Sequence, residues 1–147
     1  MMAVRYFALV MGITFLLVGL MAFVPGLNQT HTDHPELAVE GPGTGYLLGL
    51  FHVNILHNLV HLAFGLWGVI AYRSFDHSRL YARVVAVSYA LLAVMGLVPG
   101  LNTLFGMVPI HGHDVWLHAL IAAAAAYFGF GPVRTVPSTR AAPGHIA

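Results

Sequence analysis

The chain has no cysteine and no lysine, and charged residues make up only 7% of its 147 positions. Without cysteine there is no disulfide, thiolate metal site, iron–sulfur cluster or thiol nucleophile, so histidine and carboxylate are the only strong ligands left. The six cationic residues are all arginine, five acids oppose them, and a net charge of +1 offers no basic surface for nucleic acid. A soluble domain carries about 25% charge. Here hydrophobic residues reach 59% and the mean hydropathy is +0.80, the composition of a chain whose solvent is a lipid bilayer.

Four apolar segments, 6–24, 46–72, 80–98 and 113–130, are each long enough to cross roughly 30 Å of hydrocarbon at about 1.5 Å per residue. The first follows Arg5 as a signal peptide would. It is long for one, however, and ends in Pro25-Gly26-Leu27-Asn28 without a small-x-small cleavage pattern, so a retained helix is expected. The loop 28–45 holds three of the five acids and must lie outside the bilayer, because its backbone has no regular ladder to satisfy it. The segment 46–72 is longer than a span needs, with its excess around His52. Arg73, Arg79 and Arg83 cluster about the connection Ser74-Phe75-Asp76-His77-Ser78. Every arginine lies near the N-terminus, in that connection, or in the tail 132–147, which is expected to be disordered. The positive-inside rule then puts both termini in the cytoplasm.

The chain also repeats itself. Val24-Pro25-Gly26-Leu27-Asn28 recurs as Val98-Pro99-Gly100-Leu101-Asn102, 74 residues later. Each copy follows a glycine-bearing apolar segment and precedes a polar loop and a segment with two polar residues four apart. His57 and His61 in the first copy correspond to Asp114 and His118 in the second, at an offset of 57. The expected fold is an all-α integral membrane four-helix bundle, residues 1–131, built from two parallel-repeated helical hairpins about an axis along the membrane normal. Helices two and four would face each other.

Residues four apart on a helix lie on one face, so His57 and His61 form one polar stripe and Asp114 and His118 another. A charged residue within a span costs about 2.5–3.5 kcal/mol, while an interhelical polar bond returns on average about 0.6 kcal/mol. Packing alone is thus a weak motive for so many polar groups. Three imidazoles and a carboxylate suit a first-row transition metal such as zinc or iron, and the absence of Cys and Met at the site disfavours copper(I), the single nearby thioether of Met107 being little evidence for it. Three ligands would leave an open, catalytic position, whereas four would close a structural site. Asn54 and Asn58 are placed to fix the imidazole tautomers by hydrogen bonding. His52 is a reserve ligand, turned roughly 140° from His57 if the helix extends that far. His31, Asp33, His34, His111 and His113 form a candidate outer patch. Two other readings stay open. One is a b-type haem electron carrier with His61 and His118 as axial ligands. The other is a cofactor-free accessory subunit, its polar groups serving as a network within a larger membrane complex or homo-oligomer. Ser74, Ser78, Ser88 and Ser138 all lie away from the histidines, so no Ser–His–Asp arrangement can be drawn, and whether the protein is an enzyme is left open.

The elements Pro25-Gly26-Leu27-Asn28, Gly49 with Val53-Asn54, His57-Asn58-Leu59-Val60-His61, Gly65 and Asp114-Val115-Trp116-Leu117-His118 carry a resemblance. Up to about Phe130 the chain resembles a family of small bacterial four-helix membrane proteins classed as a domain of unknown function. The resemblance implies a four-span fold, with the bacterial inner (cytoplasmic) membrane as the location, and it supplies no activity and no functional residue.

Overall fold

Apolar side chains recurring along Met2–Met21 give the first helix, α1, in the computed structural model, which describes residues 2–29 and 42–132. The helix stops where Val24-Pro25-Gly26-Leu27 turns the chain. Proline presets the second position, Gly26 takes φ +88°, and Leu27 N–H donates to Val24 O at 3.1 Å, the pattern of a type II turn. The second copy folds alike, with Gly100 at φ +88° and Leu101 N–H on Val98 O at 3.0 Å.

Three short strands follow the first turn: β1 (Asn28–Gln29), β2 (Gly45–Leu47) and β3 (Phe51–Val53), antiparallel in that order. They close the 28–45 loop with backbone pairing that sequence reading did not anticipate. Their inward residues Leu47 and Val53 pack with Ala22 as a small core at this end of the bundle. The second helix, α2, therefore spans Ile55–Ala71 rather than starting near Tyr46. Asn54 sets its start: the residue is extended (φ −141°), and its Oδ1 accepts from His57 N at 2.9 Å, satisfying one of the orphan amides of the first turn.

The third helix, α3, spans Phe75–Gly96 and absorbs most of the expected 74–78 connection. Ser74 is extended just before it, Asp76 sits in the first turn where a negative charge suits the helix dipole, and Ser78 Oγ donates to Ser74 O and Ala71 O, both at 2.8 Å. The fourth helix, α4 (His113–Phe130), has the bounds the sequence suggested. Asp114, which its place in the sequence suits to the cap, does not fill it. Gly112 occupies the cap with φ +67°, no side-chain cap bond forms, and the Asp114 carboxylate turns inward instead.

The fold is thus all-α in class, with four helices among the described residues, and α1 and α3 are long and apolar enough to cross a membrane. α1 packs chiefly on α2 and α3 chiefly on α4; α1 and α3 also touch, while α2 and α4 stand at opposite corners. α2 and α4 therefore face each other only across the bundle interior and do not pack directly on one another as expected. The α1–α2 contact is close because glycines line it. A Cβ on Gly12 would lie 2.6 Å from Val69 N and 2.9 Å from Gly65 O, and one on Gly68 would lie 2.8 Å from Ala8 O.

Arginines close the far ends of α2 and α4. Arg5 Nε donates to Tyr72 O at 2.8 Å, and Arg79 Nε to Gly129 O at 3.0 Å, with Arg83 Nε on the same carbonyl at 2.9 Å. These are carbonyls that a helix C-terminus leaves unpaired, and a cation there also suits the dipole. Large apolar side chains on every helix, among them Val10, Leu17, Leu66, Val87, Leu91 and Leu120, point outward and are exposed.

Candidate functional site

α2 and α4 begin at the same end of the bundle and direct their polar stripes inward. His57, Asn58 and His61 on α2 and Asp114 and His118 on α4 are all buried, with Asp114 3% and His118 2% exposed. Their backbones stand apart, so the imidazoles cover the distance. The ring centroids of His57 and His61 are 4.6 Å apart, and those of His57 and His118 are 6.5 Å apart. His61 Nδ1 donates to His57 O at 3.1 Å, which leaves its Nε2 as the lone-pair nitrogen.

Aromatic rings fix the imidazoles from below. Phe15 meets His61 edge-on at 5.4 Å, Tyr89 meets His118 edge-on at 5.1 Å, and Phe15 and Tyr89 stack on each other at 5.4 Å and 14°. Sequence reading missed both residues, since each sits in an ordinary apolar run. The repeat could have found them, because Phe15 and Tyr89 stand at equivalent places in the two copies.

Three buried polar atoms in this cluster have no hydrogen-bond partner among the described residues: His57 Nδ1, His118 Nδ1 and Asp114 Oδ2. A buried polar atom without a partner costs about 1–3 kcal/mol, so such atoms are rare in a folded protein and often face a bound ion or water. Three imidazoles on one tetrahedral ion, with bonds of 2.0–2.1 Å, would have centroids about 5 Å apart. The His57–His61 separation lies just inside that spacing and the His57–His118 separation outside it. Among the described residues no three His, Asp or Glu side chains are set as a formed metal site.

The other expected residues fall elsewhere. Asn54 serves the backbone rather than an imidazole ring: besides capping α2, its Nδ2 donates to Met107 O at 2.7 Å and ties down the loop 103–112. Asn58 is buried beside the cluster. His52 lies on β3 and not on the helix, so the expected helical angle does not apply. Its Nδ1 stands 3.3 Å from His111 Nε2, and its ring stacks on Tyr46 at 4.8 Å and 9°. Burial, and then the neighbouring charge of His111, lower the pKa of His52; burial lowers that of His111. His113 is exposed, its ring 6.5 Å from that of Phe51. His31, Asp33 and His34, and the tail from residue 133 onward, lie outside the described residues.

A four-helix protein with two long apolar helices and a buried histidine–aspartate cluster at one end is the class these features define. The chain belongs to the family described as domain of unknown function DUF4383, whose model matches residues 5–131. No curated protein and no solved structure matches it.

Proposed function

We propose that this is an integral membrane metal-binding protein in which His57, His61, His118 and Asp114 hold a divalent first-row transition ion such as zinc or iron. The observation that carries the reading is the set of unpartnered buried atoms, one each on His57, His118 and Asp114, from two helices otherwise separated. Neutral imidazoles and one carboxylate are the hard-to-borderline donors such an ion takes, and the bound ion supplies Lewis acidity. The chain's own part is positional. Phe15 and Tyr89 keep the imidazoles from turning away, the His57 carbonyl selects the tautomer of His61, and burial excludes competing water. The rings against His61 and His118 are Phe15 and Tyr89, stacked on each other, which favours the metal reading over a haem held between those two histidines.

Two features of architecture belong to the same reading. The outward-facing apolar side chains suit lipid on all sides, with the arginine-closed end in the cytoplasm and the histidine end on the outer side of the inner membrane. Equivalences between the halves support a parallel duplication. Val4, Phe7, Ala8, Gly12, Phe15 and Gly19 are buried on α1, and their counterparts Ser78, Tyr81, Ala82, Ala86, Tyr89 and Ala93 are buried on α3. The Arg5–Tyr72 bond corresponds to Arg79–Gly129, and the Phe15–His61 contact to Tyr89–His118. Two equivalent rings, Phe15 and Tyr89, stack on each other where a two-fold axis would pass.

The test is elemental analysis and an absorption spectrum on the detergent-purified protein. One zinc or iron per chain is expected, lost in His61→Ala and His118→Ala and kept in His77→Ala, whose side chain is exposed at the other end. A Soret band would replace this reading with haem. A metal-free, colourless protein that co-purifies with partners would replace it with an accessory role.

A further inference from the structure

Outside the inner cluster, the rings of His52 and His111 meet through their nitrogens. Two nitrogens on a tetrahedral zinc, with bonds of 2.0–2.1 Å, stand about 3.3 Å apart. The separation of His52 Nδ1 and His111 Nε2 is 3.3 Å, which a hydrogen bond between the rings can span and which also matches that bite. The pair is held on both sides. Tyr46 stacks on the His52 ring and fixes its plane, and the Asn54–Met107 bond anchors the loop that carries His111. His52 is 5% exposed whereas His111 is only half-buried, so the pair is reached from the His111 side. His57 follows five residues after His52, and the rings of His61 and His118 stand 4.6 and 6.5 Å from its own.

We propose that His52 and His111 form a second, exchangeable binding site for a divalent transition ion, at the mouth of a file of histidines that leads to the inner cluster. The site stands on its own geometry; its role in loading the inner cluster rests on the function proposed above. Both imidazoles lose their protons more readily than an ordinary histidine, which keeps them in the neutral, ligating form at neutral pH.

The experiment is calorimetric titration of zinc chloride into the full chain, stripped with chelator and held in dodecyl maltoside, alongside His111→Gln, His52→Ala, His118→Ala and His77→Ala. Glutamine at 111 can still hydrogen-bond to His52, so it separates a merely structural pair from a ligand pair. The wild type and His77→Ala should bind zinc at two classes of site. His111→Gln should keep the wild-type melting temperature, lose the weaker class by about tenfold or more in affinity, and load the inner site more slowly. His52→Ala should lose the same class. Zinc binding unchanged in both His111→Gln and His52→Ala overturns the proposal. If zinc binding depends on His111 but is indifferent to His118→Ala, this site stands and the inner one falls; the reverse pattern leaves the inner site alone standing.

Discussion

Gly12→Ala tests the geometry on which the inner cluster depends. The added methyl would meet Val69 N at 2.6 Å, Gly65 O at 2.9 Å and Gly68 C at 2.9 Å, all backbone of α2. Carbon contacts settle at about 3.5–4.0 Å, so the helices must part by roughly 0.8 Å or more. No rotamer relieves this, since neither the new Cβ nor the backbone it strikes can rotate away. Overpacking of this kind costs about 1–3 kcal/mol, and the better helix propensity of alanine returns about 1 kcal/mol. Given three simultaneous contacts, a net loss of about 1–2 kcal/mol is expected. The displacement is also directional. It moves α2, and with it His57 and His61, relative to His118 on α4, and a misplacement near 1 Å is enough to disable a site. Reversible unfolding in mixed detergent–SDS micelles, followed by helical ellipticity, measures the first effect, and metal content per folded chain the second. An unfolding midpoint equal to that of the wild type would refute the close α1–α2 approach. A destabilised protein with full metal content would refute the link between that approach and the site.

Three other outcomes follow from the same structure. Arg5→Gln removes the only donor to the Tyr72 carbonyl among the described residues and should cost about 1.5–3 kcal/mol in the same assay. Arg79→Gln leaves Gly129 O its bond from Arg83 but removes the donor to Gly131 O (3.1 Å), so it should cost about as much as Arg5→Gln, and the Arg79/Arg83 double variant should cost more. For pH, His52 and His111 have folded pKa values lowered from 6.5, so the unfolded chain takes up their protons first as pH falls. Their contribution to stability is complete above pH 6.5 and is lost as pH drops from there through the folded pKa values, which denaturant titration of the metal-free protein at stepped pH will show. Finally, the natural absence of cysteine allows single cysteines to report topology: Phe105→Cys should react with an impermeant maleimide from outside intact cells and Arg73→Cys should not, whereas the opposite pattern reverses the orientation.

Much of this was legible in the amino-acid sequence because it rests on local chemistry. Runs of apolar residues with internal glycines specify four helices, Val-Pro-Gly-Leu dictates the same turn twice, and the absence of cysteine reduces the ligand menu to imidazole and carboxylate. The spacing of four in His57/His61 and Asp114/His118 places each pair on one helix face, since the period of an α-helix allows nothing else. Only the tertiary structure decided what those faces meet. Close packing over Gly12, Gly65 and Gly68 draws α1 onto α2, leaves α2 and α4 at opposite corners, and makes side chains bridge the gap. Pairing of β2 with β3 delayed the start of α2 to Ile55 and turned His52 from a helical position toward His111, and the amides of the first turn claimed Asn54 before any imidazole could. Phe15 and Tyr89 became the walls of the site for the same reason: the repeat offset relates them to each other, but their neighbours lie dozens of residues away in sequence and only the packing of whole helices brings them together.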